Sequence, residues 1–437
     1  MSKYAFINVN LITGKKDEEL LKNQIIIINN EKIVDITSDI NKVKGIKTID
    51  LKGKYLMPGL INLHVHLPGS GSPNHVKKQN KESVDKLLKS PFTRNFLYMF
   101  CKHYAVVELL SGVTTIRCVG GLKNIDTQIR DNINKGKTKG PRILASNMAI
   151  SVPDGHFAGV LAYEAKTPEE AKKYVDIIAK DKPDLIKIMI TGGVLDAKKK
   201  GEPGELRMHP EIVKACCDRA HELGLKVAAH VESPIGVKVA VENGVDTVEH
   251  GGALTPEVLE AFKKNNATQV MTLSAPIPCM LLPHEQTGGT PLHKYNATVV
   301  LDGVVQCAKA LRKEGIEVGL GTDTACPYIT HYDMWRELNY FHNFMGVSNQ
   351  EAIYTATLVN AKIAGIEKET GSIEVGKSAD MLILENNPLD DLSNLRKPSM
   401  VVIKGKIIKN PKVKKMDIVE KSLDQFLDVK EYSFDEE

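Results

Sequence analysis

The chain has 437 residues, 42% of them hydrophobic and 26% charged, an ordinary globular composition for several domains or one large α/β barrel with an accessory unit. A net charge of +4 on 48.1 kDa is small and argues against nucleic acid or a membrane surface as partner. No run approaches the ~18 consecutive apolar residues of a membrane span, no secretory leader is read, and the seven cysteines are scattered without a C-x-x-C, so reduced thiols in a cytoplasmic protein are expected.

In chain order, residues 1–57 read as short strands with turns, at 5–9, 24–28 and 32–36, with no helical period. The middle, 58–365, alternates strands with helices. Strands are expected at 59–64, 113–119, 142–146, 185–190, 226–230, 247–250, 269–273 and 317–321. Helices are expected at 168–179, 210–223, 233–243, 256–265 and 298–314, where apolar residues recur at three and four spacing and prolines stand at or near several first turns. Residues 366–437 return to strands, at 378–384 and within 400–408, before an acidic tail. Eight strands with helices between them predict a (β/α)8 TIM barrel, whose functional face lies at the C-terminal strand ends. The two β-rich ends predict a small accessory β-sandwich domain built from both termini. A doubly wound open sheet is the alternative, but no G-x-G-x-x-G or G-x-x-x-x-G-K-[ST] stands in a phosphate-binding context to favour it.

The strand ends carry the chemistry. Pro58-Gly59-Leu60-Ile61-Asn62-Leu63-His64-Val65-His66 reads as a buried strand closing on two histidines two positions apart. Alternation points both imidazoles the same way, a natural start for a metal site. Lys187 stands inside an apolar strand, where an unpaired ammonium is expensive. His230 closes the fifth strand, His250 the sixth, and Asp323 follows the eighth. Each alone has an ordinary alternative: a lysine snorkelling from a sheet edge, histidines satisfied by backbone groups, an aspartate capping a helix. Gathered at one end of one barrel, they point to a metal and catalytic site.

This constellation resembles the amidohydrolase superfamily. The first-strand run quoted above matches its motif, and Gly371-Ser372-Ile373-Glu374-Val375-Gly376-Lys377-Ser378-Ala379-Asp380 is typical of it. Thr191-Gly192-Gly193-Val194 and Ala220-His221-Glu222-Leu223-Gly224-Leu225-Lys226-Val227-Ala228-Ala229-His230 look like the imidazolonepropionase-related branch. That branch includes prolidase-like and Xaa-Arg/Lys dipeptidases and the ochratoxin-hydrolysing carboxypeptidase. The resemblance implies two divalent ions. His64, His66 and Asp323 would hold one, His230 and His250 the other, with N-carboxylated Lys187 bridging them. Zinc suits such a set. With a bridging hydroxide the site would carry a charge of about +1. The hydroxide would attack the carbonyl of a small amide or peptide, with Asp323 moving the proton. Relatives are often homo-oligomers, and the same is expected here by analogy.

Three segments would shape the substrate pocket: 68–81 after the first strand, 151–159 after the third, and 275–295 after the seventh, the last with His284 and His293. His156 matches a family histidine thought to hold substrate. Arg207 could meet a substrate carboxylate, or be an ordinary surface arginine. Prolidase-like relatives commonly carry a tyrosine two residues after the strand-five histidine. Here that position is Glu232, in His230-Val231-Glu232-Ser233-Pro234, which could repel a substrate carboxylate, attract an amine or guanidinium, or cap the next helix. The leading expectation is hydrolysis of a linear amide, a dipeptide or N-acyl amino acid. A cyclic-amide hydrolase or heterocycle deaminase is the alternative; deaminases usually use one metal, lack the carboxylated lysine and employ a strand-five glutamate, and Lys187 argues against a deaminase. A scaffold that has lost its metals is a third reading, disfavoured by the complete ligand set.

Overall fold

A computed structural model describes residues 3–73 and 81–434, apart from the side chain of Asp85. Both ends of the chain enter one eight-stranded sheet. Its path runs Lys406–Lys409, Met400–Ile403, Met381–Leu384, Tyr55–Pro58, Lys3–Leu11, Leu21–Asn29 and Lys32–Thr37, with Lys47–Asp50 also beside Lys3–Leu11. The two ends are joined where Tyr55–Pro58 pairs antiparallel with Met381–Leu384, Met57 opposite Leu382. Alternating side chains from both ends, including Phe6, Val9, Ile26, Ile28, Leu56, Met381, Ile383 and Val402, form a core separate from the larger one.

The middle of the chain is α/β with parallel strands. Leu60–Val65, Val113–Cys118 and Arg142–Ala145 make one ladder. Ala162–Glu164, Ala149–Ser151, Leu185–Met189, Lys226–Val231, Thr247–His250, Thr268–Met271 and Gly319–Leu320 make another. Side chains stitch the two together. Asp184 N–H donates to Ala145 O at 2.8 Å, while Ala145 N–H donates to the Asp184 carboxylate at 2.8 Å. On the other side, Asn360 Nδ2 donates to Ile61 O (2.7 Å) and Leu320 O (2.9 Å), and its Oδ1 accepts from Leu320 N–H (2.9 Å). Asn62 and Thr322 exchange two further bonds across the same gap. A Cβ on Gly321 would lie 2.5 Å from His64 Cβ, so only glycine lets the last strand approach the first this closely.

Several helices start on local chemistry visible in the sequence. Thr167, Ser233 and Thr255 each accept a backbone N–H of the following first turn, and a proline opens each of Pro168–Ala179, Pro234–Glu242 and Pro256–Asn265. The larger core packs such helices on the strands, with Ile116, Ile188, Val227 and Val248 against Val175, Val213, Val237 and Phe262.

The structure differs from expectation in three places. The last parallel strand is only Gly319–Leu320, because Asn360 replaces part of its ladder. The segment 275–295 is mostly helical, with Ile277–Leu281, His284–Thr287 and the start of Pro291–Lys313, which begins seven residues earlier than its apolar period suggested. Helices Lys81–Lys89, Pro91–Leu110, Ile125–Asn134 and Met334–Met345 were not anticipated. In Pro91–Leu110 the apolar period is blurred, since Phe92, Phe96 and Met99 stay exposed beside a buried stripe. Of the expected pocket segment 68–81, residues 74–80 lie outside the described residues. No helix among the described residues is long and apolar enough to cross a membrane.

Candidate metal centre

The parallel strands bring the sequence-selected residues to one place. Nε2 of His64 and of His66 lie 3.3 and 3.1 Å from Oδ1 of Asp323. The His64 ring stands 5.0 Å from that of His250, and His250 stands 4.7 Å from His230. Ligand-competent atoms of His64, His250 and Asp323 lie within 4.8 Å of one another, and so do those of His230, Glu232 and His250. Lys187 sits on the neighbouring strand, opposite Ala228 in the register that pairs Met189 with His230.

Each histidine has one ring nitrogen committed elsewhere. His64 Nδ1 meets the Glu249 carboxylate at 2.8 Å, His66 Nδ1 meets Gly120 O at 2.9 Å, His250 Nδ1 meets the Thr272 hydroxyl at 2.6 Å, and His230 Nε2 meets Gly192 O at 3.1 Å. Such partners are of the kind that orient imidazoles around a bound metal, and in His64 and His66 the other nitrogen faces Asp323. Glu249 is itself held by Arg117 Nη2 at 2.7 Å and the Thr247 hydroxyl at 2.7 Å, all fully or nearly buried. Backbone geometry contributes too. His250 and Asp323 adopt φ of 69° and 59°, left-handed conformations that re-aim side chains just past the strand ends. Asp323 N–H donates to His64 O at 2.9 Å, so the acid is anchored to the very strand whose imidazoles it meets.

Lys187 tests whether these residues fit a metal centre. Its side chain is 1% exposed and Nζ has no hydrogen-bond partner. Burial, against the attraction of Glu249 and Asp323, pushes its amine down to about 8. A lysine of that kind is partly neutral near physiological pH, able to react with CO2 to give a carbamate. The four imidazoles and the aspartate match the nitrogen and oxygen preference of zinc. The donor set therefore fits divalent ions.

Burial also holds His64 and His230 well below the ordinary histidine range and brings His250 to about 4. For Asp323, burial alone would raise the carboxyl, but the imidazoles of His64, His250 and His66 hold it well below the usual carboxylate range. The sign for the three histidines follows from linkage. The unfolded chain takes up protons below about pH 6.5 while the folded chain does not, so stability falls as pH falls from there toward 4. Chelator-treated protein should therefore lose melting temperature steadily between pH 6.5 and 4.5. A flat profile across that range would contradict neutral, buried imidazoles.

The remaining expectations divide. The His156 ring stacks on His230 at 4.1 Å and is hydrogen-bonded through Nδ1 to Asp196, which places it at the mouth of the cluster. Glu232 does not cap the next helix, because Ser233 does; its carboxylate accepts instead from Val194 N–H at 3.0 Å. Burial, with Asp323 nearby, pushes that carboxyl up to about 8. Arg207 is paired with Glu205 at 2.7 Å. Asp323 starts no helix, and Lys187 does not reach solvent, so both ordinary alternatives fail. His284 is half-buried and paired with Glu285. Sequence reasoning missed Glu249, Arg117, Thr272 and Asp196. Glu249 could have been suspected, as a charged residue beside His250 inside a short apolar strand.

Residues 55–408 match the amidohydrolase family. The chain belongs to that family. As an amidohydrolase it is a hydrolase acting on carbon–nitrogen bonds, of the prolidase-like branch. A solved structure from Bifidobacterium longum, described as a candidate prolidase, is 36% identical with a TM-score of 0.86, covering 97% of this chain and 98% of that one. The ochratoxinase of Aspergillus niger is 27% identical over 434 residues, 92% of this amidohydrolase and 85% of the relative. A 5-methylthioadenosine/S-adenosylhomocysteine deaminase of Bacillus cereus is 24% identical over 447 residues, 95% of this chain and 96% of the relative.

Proposed function

We propose that this protein is a binuclear metal-dependent amidohydrolase that cleaves a linear amide, a dipeptide or an N-acyl amino acid. The observation that carries the reading is Lys187, a buried amine without a partner beside four histidines and an aspartate. His64, His66 and Asp323 would hold one ion and His230 and His250 the other, with Lys187 as a carbamate between them. The ions, zinc by the donor set, would supply Lewis acidity and a water that ionises near neutral pH. Asp323 takes the proton from the attacking water and delivers it to the departing amine. Its position against His64 and His66 puts a carboxylate at the cluster where a proton can be taken up and passed on. The prolidase and ochratoxinase likenesses favour a linear amide.

His156 and Arg207 are proposed to meet the substrate, with Glu232 beside them at the mouth of the site. His156 is the best placed, against His230; Glu232 puts an acid where a substrate carboxylate is disfavoured. The two parallel ladders would form a closed (β/α)8 barrel over 58–365, and 1–57 with 366–437 an accessory β-sandwich domain. A cytoplasmic location, with which seven free cysteines agree, and a homo-oligomeric state by analogy with the family are proposed as well.

The test is metal content alongside hydrolysis of dipeptides, N-acyl amino acids, cyclic amides and adenosine-type nucleosides. About two zinc ions per chain with turnover of a linear amide is the expected result. About one ion, or turnover confined to ring opening or deamination, would overturn it. Deamination is the second reading, favoured by the Bacillus cereus relative.

A further inference from the structure

We propose that Glu232 is a third protein ligand to the His230 and His250 metal position, giving that ion a carboxylate as Asp323 gives one to the other. The inference rests on the two-metal reading above. His230 stands in the strand Lys226–Val231 and Glu232 is the first residue beyond its end. A carboxylate oxygen of Glu232 and a nitrogen from each of His230 and His250 lie within 4.8 Å of one another, as do the corresponding atoms of His64, His250 and Asp323. Ligands about 2.1 Å from a tetrahedral ion stand about 3.4 Å apart, so small side-chain movements would close either triangle on a cation.

The surroundings of Glu232 call for a positive charge. Its backbone N–H donates to the Thr191 hydroxyl at 3.0 Å, and its Oε2 accepts from Val194 N–H at 3.0 Å, so the side chain is held rather than loose. Capping of the next helix falls to Ser233. No ion pair links Glu232 to a lysine or arginine among the described residues. A half-buried acid without such a partner is a natural place for a cation to bind. With Glu232 bound, each ion would have imidazole and carboxylate ligands, and the charge of the whole site would drop from about +1 to about neutral. This would be a local departure from the tyrosine that prolidase-like relatives commonly carry here.

The test is metal binding, read without substrate. Chelator-treated wild type, Glu232→Gln and Glu232→His are titrated with Co2+ in bicarbonate buffer, following the visible absorption of the bound ion, with melting curves to confirm folding. Wild type should bind two ions. Glu232→Gln should keep one and weaken the other by at least about tenfold, with loss of part of the cobalt spectrum. Glu232→His should restore the second ion with a spectrum shifted by the added imidazole. Two ions bound by folded Glu232→Gln with wild-type affinity and spectrum would overturn the proposal, leaving Glu232 to address substrate directly. If Glu232→Gln does not fold, failure of folded Glu232→His to hold the second ion overturns it instead. Fewer than two ions in wild type would bring down the two-metal reading itself.

Discussion

Replacing Lys187 by methionine is expected to lower turnover by a factor of about 1,000 or more while leaving the melting temperature of metal-free protein unchanged or higher. The two halves of this result have one cause. Lys187 Nζ is buried with no hydrogen-bond partner, so in the metal-free fold it is a desolvated amine that contributes packing through its methylenes alone. Methionine keeps similar volume and removes the polar atom, which is neutral or favourable for folding. The metal centre loses the group proposed to bridge its ions, and roughly 4 kcal/mol of transition-state stabilisation corresponds to the stated rate factor. Melting curves, metal content and kcat on the same preparations check it. A Lys187→Met protein that keeps a tenth of its turnover, or melts far below wild type, would show that the lysine is structural.

Asp323→Asn should cost about 100- to 10,000-fold in kcat with little change in KM and with at least one ion retained. Asparagine has the same shape and keeps an oxygen for His64 and His66, but it cannot take the proton of the attacking water. In the folded chain the carboxyl lies below the usual carboxylate range, so it is ionised across the neutral range. The metal-free protein also depends on that charge. A carboxyl depressed in the folded state contributes stability above its unfolded value of about 3.9, lost as pH falls below it. The asparagine variant should lack that acid-range loss. Equal losses in kcat and in both bound ions would make Asp323 a ligand alone, without a proton-transfer role.

Several parts of this protein were determined by sequence alone. His64 and His66 are readable because strand alternation has a period of two, and Lys187 because a charge inside an apolar run has few explanations. The helix starts at Pro168, Pro234 and Pro256 are local, set by a hydroxyl cap and a proline within three residues. Two β-rich ends around an alternating middle likewise announced an α/β chain whose termini meet. What the tertiary structure decided depends on groups far apart in the chain. Glu249 becomes a partner of His64 only when strands 185 residues apart lie together. Asn360 ties the first and last parallel strands from a helix, shortening a strand that the apolar pattern made longer. Segment 275–295 is rich in glycine and proline, a loop by composition, yet packing of Ile277 and Met280 into the core holds it helical. For Glu232, capping and substrate contact were the readings open on paper, and a metal role was not among them. The cap went to its neighbour Ser233, and the carboxylate came to rest beside His230 and His250, because side-chain direction at a strand end is set by what packs around it.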